Sequence, residues 1–239
     1  QTANALSING VPFKLENSLP ALAAAIKKKP SGRFALSAGY NASQDGIYEE
    51  SPIPTKFKGT FNGLGNTIAN LMISSNKPEI GLFGYVTAMG AINSLLLTKA
   101  SIAVKDERKN RQACSAGILA AINLGTVFDS FAGGKIDVTM GERDDSVSVG
   151  GLIGENLGTI VNSAAAPSLF VTTHRRSPGT AFAGGLAGTS SGEIMGSYAT
   201  ANISVNAAGY AGDLLGLGPG IVINSYATGQ TAISGSVLI

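Results

Sequence analysis

Short apolar bursts alternate with polar residues along most of this chain, as in Ser101-Ile102-Ala103-Val104, Lys135-Ile136-Asp137-Val138 and Asn202-Ile203-Ser204-Val205. A period of two sends alternate side chains to opposite faces, the signature of a half-buried strand. One stretch differs. Ser18-Leu19-Pro20-Ala21-Leu22-Ala23-Ala24-Ala25-Ile26-Lys27-Lys28-Lys29-Pro30 places Leu19, Leu22 and Ile26 at helical spacing. It opens on a capping Ser with Pro in the first turn, and ends on lysines and a second Pro, so it predicts a helix over about 18–29.

The strand-like bursts recur. Four segments share a Gly-Leu-x-Gly-like core: Gly81-Leu82-Phe83-Gly84, Gly117-Ile118-Leu119-Ala120, Gly151-Leu152-Ile153-Gly154 and Gly185-Leu186-Ala187-Gly188. Asp213-Leu214-Leu215-Gly216 is a degenerate fifth, and the starts lie 36, 34, 34 and 28 residues apart. An Asn-Ser-like pair follows each core: Asn93-Ser94, Asp129-Ser130, Asn162-Ser163, Gly196-Ser197 and Asn224-Ser225. Three short strands per unit, separated by Gly corners, describe one coil of a solenoid. The expected fold is all-β, a right-handed parallel β-helix of about five to seven coils with an amino-terminal capping helix.

Composition agrees with stacking. The chain has 239 residues, 44% apolar and 13% charged, with 32 Gly, one Cys and a net charge of +2. In a solenoid each residue lies over its counterpart about 4.8 Å away, so neutral, small and apolar residues are favoured and stacked charges repel. Stacked Asn side chains can bond along a ladder, which makes Asn93, Asn162 and Asn224 structural in this reading. From Gly81 onward there are 19 charged residues, and 12 fall in three stretches. These are 105–111, 142–145 and 175–176, all at the same phase, after the third strand and before the next Gly-Leu core. They supply the candidate binding residues: Lys105, Arg108, Lys109, Arg111, Glu142, Arg143, Asp144, Asp145, His174, Arg175 and Arg176. Loops added once per repeat gather on one face, where such scaffolds bind.

Phe57 to Ile73, rich in Gly and Asn turns, followed by Ile80-Gly81-Leu82-Phe83-Gly84, resembles the segment that opens GLUG-motif arrays. Gly150 to Ser163 and Asn224-Ser225-Tyr226-Ala227-Thr228-Gly229 are similar to the GLUG repeat itself. On this resemblance residues 1–54 form a cap region and 55–239 the repeats. The resemblance implies a non-catalytic adhesin segment of filamentous-haemagglutinin-like or autotransporter type, secreted or held on a bacterial cell surface. It transfers no catalytic, cofactor-binding or metal-binding residue. The implied partners are a host surface or matrix protein or a glycan. Neither nucleic acid binding nor membrane insertion is expected. Ile233-Ser234-Gly235-Ser236-Val237-Leu238-Ile239 offers no evident cap, which adds end-to-end self-association to the expectations.

Enzymatic chemistry finds little purchase. Gly188-Thr189-Ser190-Ser191-Gly192 matches G-x-S-x-G, but that motif needs a following helix and a later His, and the single His174 lies upstream. Cys114 stands alone, with no Cys or His at zinc-ligand spacing. Asp137, Glu142, Asp144, Asp145 and Glu155 are close in sequence, so a carbohydrate-cleaving or carbohydrate-binding β-helix is an alternative. That alternative predicts a groove of aromatics and acids on one strand face, with Tyr198 and Tyr226 as one candidate ladder. A purely structural spacer in a larger surface protein is the third reading.

Overall fold

The computed structural model describes residues 5–105, 113–141, 146–173 and 179–234. They form a parallel β-solenoid with four walls. Each turn passes through all four, as in Ser146–Gly150, Ile153–Asn156, Thr159–Val161 and Ala164–Thr173. Each wall is built by stacking the equivalent strands of successive turns. Wall 1 has nine strands, running from Ala5–Ile8 to Ile221–Ile223, and wall 2 has eight, from Tyr40–Asn41 to Tyr226–Ile233. Wall 3 stacks Glu79–Ile80, Cys114–Gly117, Ser146–Gly150, Thr180–Gly184 and Gly209–Gly212. Wall 4 stacks Phe83–Val86, Ala120–Asn123, Ile153–Asn156, Ala187–Ser190 and Leu215–Leu217. Five strands on each short wall make four turn-to-turn steps. All pairs are parallel except the first, Ala5–Ile8 against Val11–Glu16.

A turn therefore holds four strands rather than three. The Gly-Leu core is a corner between two short strands, walls 3 and 4. The third apolar segment expected from alternation is one half of a long wall 2 strand such as Leu96–Lys105.

Register is set by what each column can stack. On wall 1 Phe61, Ile92, Val127, Ile160 and Ile194 lie one above another, all buried. On wall 2 Ile102, Ile136, Leu169 and Ile203 do the same. The second repeat sits one residue away from its sequence alignment: Gly117 stands over Gly150, not Gly151, and Ala120 over Ile153. The reason is steric. At Gly150 a Cβ would lie 1.9 Å from the Ile153 carbonyl oxygen, and at Gly117 2.5 Å from that of Ala120, so this corner requires glycine.

The Asn-Ser pair has a division of labour. Asp129, Asn162 and Asn224 turn the corner with φ of 48°, and Gly196 with 55°, in the left-handed region that Asn, Asp and Gly adopt most readily. In the first repeat Ser94 has this role at φ 51°, one residue later than the expected pairing, because Asn93 lies over Phe128. The serines carry the ladder. Ser163 Oγ accepts the Ser130 N–H at 3.1 Å, Ser197 Oγ accepts the Ser163 N–H at 3.1 Å, and Ser225 Oγ accepts the Ser197 N–H at 3.1 Å. Each hydroxyl also donates to the carbonyl two residues back, Val161 O at 2.8 Å in the case of Ser163. The asparagine ladder exists elsewhere, on wall 4. Asn123 Nδ2 donates to Asn156 Oδ1 at 2.9 Å, and Asn156 Nδ2 to Ser190 Oγ at 3.1 Å.

The helix Leu19–Lys28, α1, begins where expected. Ser18 Oγ accepts the Ala21 N–H at 3.3 Å, and Leu19, Leu22 and Ile26 are buried in the common core. Beside it Tyr40 Oη and Tyr48 Oη donate to the two oxygens of Asp45 at 2.5 and 2.7 Å. Burial first, and the bonds to Asp45 second, push both phenols above their ordinary ionisation range.

Candidate functional site

Of the candidate binding residues, Arg108, Lys109, Arg111, Glu142, Arg143, Asp144, Asp145, His174, Arg175 and Arg176 lie outside the described residues. Their neighbours place the stretches at one phase: wall 2 strands end at Lys105, Met140 and Thr173, and wall 3 strands begin at Cys114, Ser146 and Thr180. Lys105 is exposed at the end of its strand. It lines a pocket of 610 Å³ with Glu49, Glu50 and Lys77, two acids facing two bases.

The other sequence candidates fall into structural roles or separate places. Ser190 of the G-x-S-x-G match is buried in wall 4, accepts from Asn156, and leads into the strand Glu193–Met195. Cys114 is buried at the start of a wall 3 strand, its Sγ 3.9 Å from the Lys77 carbonyl oxygen. Asp137 lies on wall 2 in an ion pair with Lys135 at 2.6 Å, and that ammonium sits 4.9 Å from the centre of the Phe170 ring. Glu155 lies on wall 4. Among the described residues no group of three or more His, Cys, Asp or Glu could hold a metal ion, and no helix is long and apolar enough to cross a membrane.

The structure brings together a set that sequence reading did not assemble. Walls 3 and 4 approach backbone to backbone. At Gly154 a Cβ would lie 2.7 Å from Ala116 N, and at Gly188 2.4 Å from Val149 N. Beside this contact lies a cleft of 530 Å³. From wall 3 it takes the column Ser115, Ser148 and Phe182, and from wall 4 the column Glu155, Thr189 and Leu217. Thr189 Oγ1 donates to Ser148 Oγ at 3.3 Å, tying the two walls together. The Phe182 ring is stacked on Tyr210 of the next turn, centroids 5.8 Å apart and planes within 8°. Ala113 and Ser146 also line the cleft; Ser146 directly follows the charged stretch 142–145, and Ala113 stands two residues beyond the end of 105–111.

Tyr198 and Tyr226 stack on the outside of wall 2, centroids 5.3 Å apart and planes within 7°, with 38% and 59% of their surface exposed. A third hollow, of 760 Å³, lies at the carboxyl end of α1 and is lined by Lys14, Lys28, Lys29 and Arg33. The signal that would have found the cleft is periodic. Phe182 and Tyr210 are separated by the same 28 residues as Tyr198 and Tyr226, the spacing of the last repeat.

The chain matches no family model and no curated protein.

Proposed function

We propose that this chain is a non-catalytic adhesin-type segment of a secreted or cell-surface protein, a GLUG-like repeat rod that holds binding groups in fixed register. The observation that carries the reading is the alignment of aromatic side chains in columns, the exposed Tyr198 over Tyr226 and the half-buried Phe182 over Tyr210. Aromatic rings held rigid on a scaffold supply contact area at little entropic cost, which is what a recognition face needs. The ligand is a host surface or matrix protein or a glycan.

A second reading, a carbohydrate-binding β-helix, is favoured by one feature in particular: the cleft between walls 3 and 4 combines an aromatic, a carboxylate and several hydroxyls.

Solid-phase binding to immobilised matrix proteins and to a glycan array tests the proposal. The expected result is saturable binding that weakens in Tyr198→Ala/Tyr226→Ala, or when Arg108, Lys109, Arg111, Arg175 and Arg176 are changed to Ser. A chain that binds nothing in either format acts as a spacer, and the adhesin reading fails.

A further inference from the structure

We infer that the cleft between walls 3 and 4 is a glycan groove whose ligand is a linear neutral or N-acetylated oligosaccharide lying along the stacking axis. The inference rests on the reading of the chain as a binding segment and names the surface and the ligand class.

The groove has the length of a short chain of sugars. Ser115, Ser148 and Phe182 are the successive members of the wall 3 column that line it, two steps of about 4.8 Å each. That is room for about two pyranose rings end to end, and 530 Å³ is within the range of about 300–1,000 Å³ typical of small-ligand sites.

The lining has matching chemistry. Ser115, Ser148, Thr189 and Ser191 present hydroxyls, which donate and accept as sugar hydroxyls do. Phe182 supplies a flat apolar surface for the C–H face of a ring, and its stack on Tyr210 holds that surface in one orientation.

A peptide fits less well. An extended peptide binds a sheet through free backbone groups at an edge. The wall 3 strands Cys114–Gly117, Ser146–Gly150 and Thr180–Gly184, and their wall 4 neighbours, are each paired on both sides. The groove therefore offers side chains and no open edge, which suits a ligand that bonds through hydroxyls.

Charge narrows the class. Glu155 is the one charged residue lining the cleft among the described residues, and no described group forms an ion pair with it. Its carboxylate repels uronic or sialic acids and accepts from neutral hydroxyls and amides.

Calorimetric titration of the 239-residue chain with cellohexaose, chitohexaose and hexagalacturonate tests this. At least one neutral hexasaccharide is expected to bind, with hexagalacturonate at least tenfold weaker. Phe182→Ala is expected to weaken the neutral sugar about tenfold, the size of one stacking contact, while the chain still unfolds in a single cooperative transition. Glu155→Lys, at a half-buried position lining the cleft, is expected to bring hexagalacturonate affinity up to or above that of the neutral sugars. Met89→Ala, exposed and outside the lining of the cleft, leaves hexasaccharide binding unchanged. The inference is overturned if neither neutral sugar binds, if hexagalacturonate is preferred, or if both Phe182→Ala and Glu155→Lys bind as the parent does. Matrix-protein binding that persists while the hexasaccharides do not bind would sink the groove and leave the adhesin reading standing. Hexasaccharide binding without adhesion would do the reverse.

Discussion

Replacing Ser163 by Ala tests whether the serine column holds the turns together. In the parent, Ser163 Oγ accepts the Ser130 N–H at 3.1 Å and donates to Val161 O at 2.8 Å, and both Ser130 and Ser163 are buried. Val161 O also accepts the Asp129 N–H at 3.1 Å, so it keeps a partner after the substitution. Ser130 N–H loses the one acceptor that reaches it. A buried donor left unmet costs about 1–3 kcal/mol, so Ser163→Ala should lose about 2 kcal/mol, roughly a thirtyfold shift in the folding equilibrium. Ser225→Ala removes a bond of the same 3.1 Å length, to Ser197 N–H, but at the half-exposed last turn where water can take the acceptor's place. Its cost should be below about 1 kcal/mol. Urea unfolding measures the difference, and amide exchange locates it. The Ser130 amide should exchange faster in Ser163→Ala and unchanged in Ser225→Ala. Equal losses in the two variants, or a loss below about 0.5 kcal/mol for Ser163→Ala, would refute the ladder as a source of stability.

Three further outcomes follow from the same structure. Gly150→Ala places a Cβ 1.9 Å from Ile153 O and should destabilise by about 3 kcal/mol or more, whereas Gly84→Ala, with nothing nearer than 3.6 Å, should be tolerated; thermal unfolding of the pair checks this. Tyr40 and Tyr48 have raised folded-state ionisation, so their stabilisation is intact below the unfolded phenol range near 10 and is lost as pH rises through the folded values. In a spectrophotometric titration two of the six tyrosines should ionise late, and in Asp45→Asn earlier than in the parent. Val222 continues the buried wall 1 column but is 42% exposed in the last described turn, beside Ile221 at 60%. Sedimentation should detect end-to-end self-association that strengthens with concentration and is abolished by Val222→Lys; a monomer at all concentrations would refute it.

The fold was legible because stacking leaves a mark at every turn. Alternation in Ser101–Val104 and its counterparts identified strands, and the recurrence of Gly-Leu cores identified coils. The helix was legible from Ser18, Pro20 and the Leu19, Leu22, Ile26 stripe alone. What was not legible was register within one residue. The pairs Gly117 with Gly151 and Asn93 with Asn162 align well as letters, yet the requirement for a bare Cα at Gly150 and a left-handed φ at Ser94 move each by one place. The Asn-Ser motif was recognised, but its roles were exchanged. Which residue bonds across turns depends on which hydroxyl points along the stack, and letters do not carry that. The cleft was illegible for a related reason. Ser148, Phe182, Glu155 and Thr189 are unremarkable singly and meet only when two walls fold against each other.

The unequal repeat lengths explain why charge collects where it does. Wall 2 and wall 3 are joined by residues 207–208 in the last repeat, where the period is 28, and by 106–113, 141–145 and 174–179 in the earlier, longer ones. A turn that closes with a two-residue link shows that about 28 residues suffice to pass through all four walls. Most of the additional residues of the longer repeats enter at that corner, and they hold 11 of the 12 clustered charges, Lys105 being the twelfth. Stacked positions disfavour charge because each would face its own copy. Both aromatic stacks, Phe182 on Tyr210 and Tyr198 on Tyr226, span the 28-residue step. The scaffold thus separates two chemistries, charge in the sequence that joins walls 2 and 3 of the longer turns and aligned rings across the shortest one.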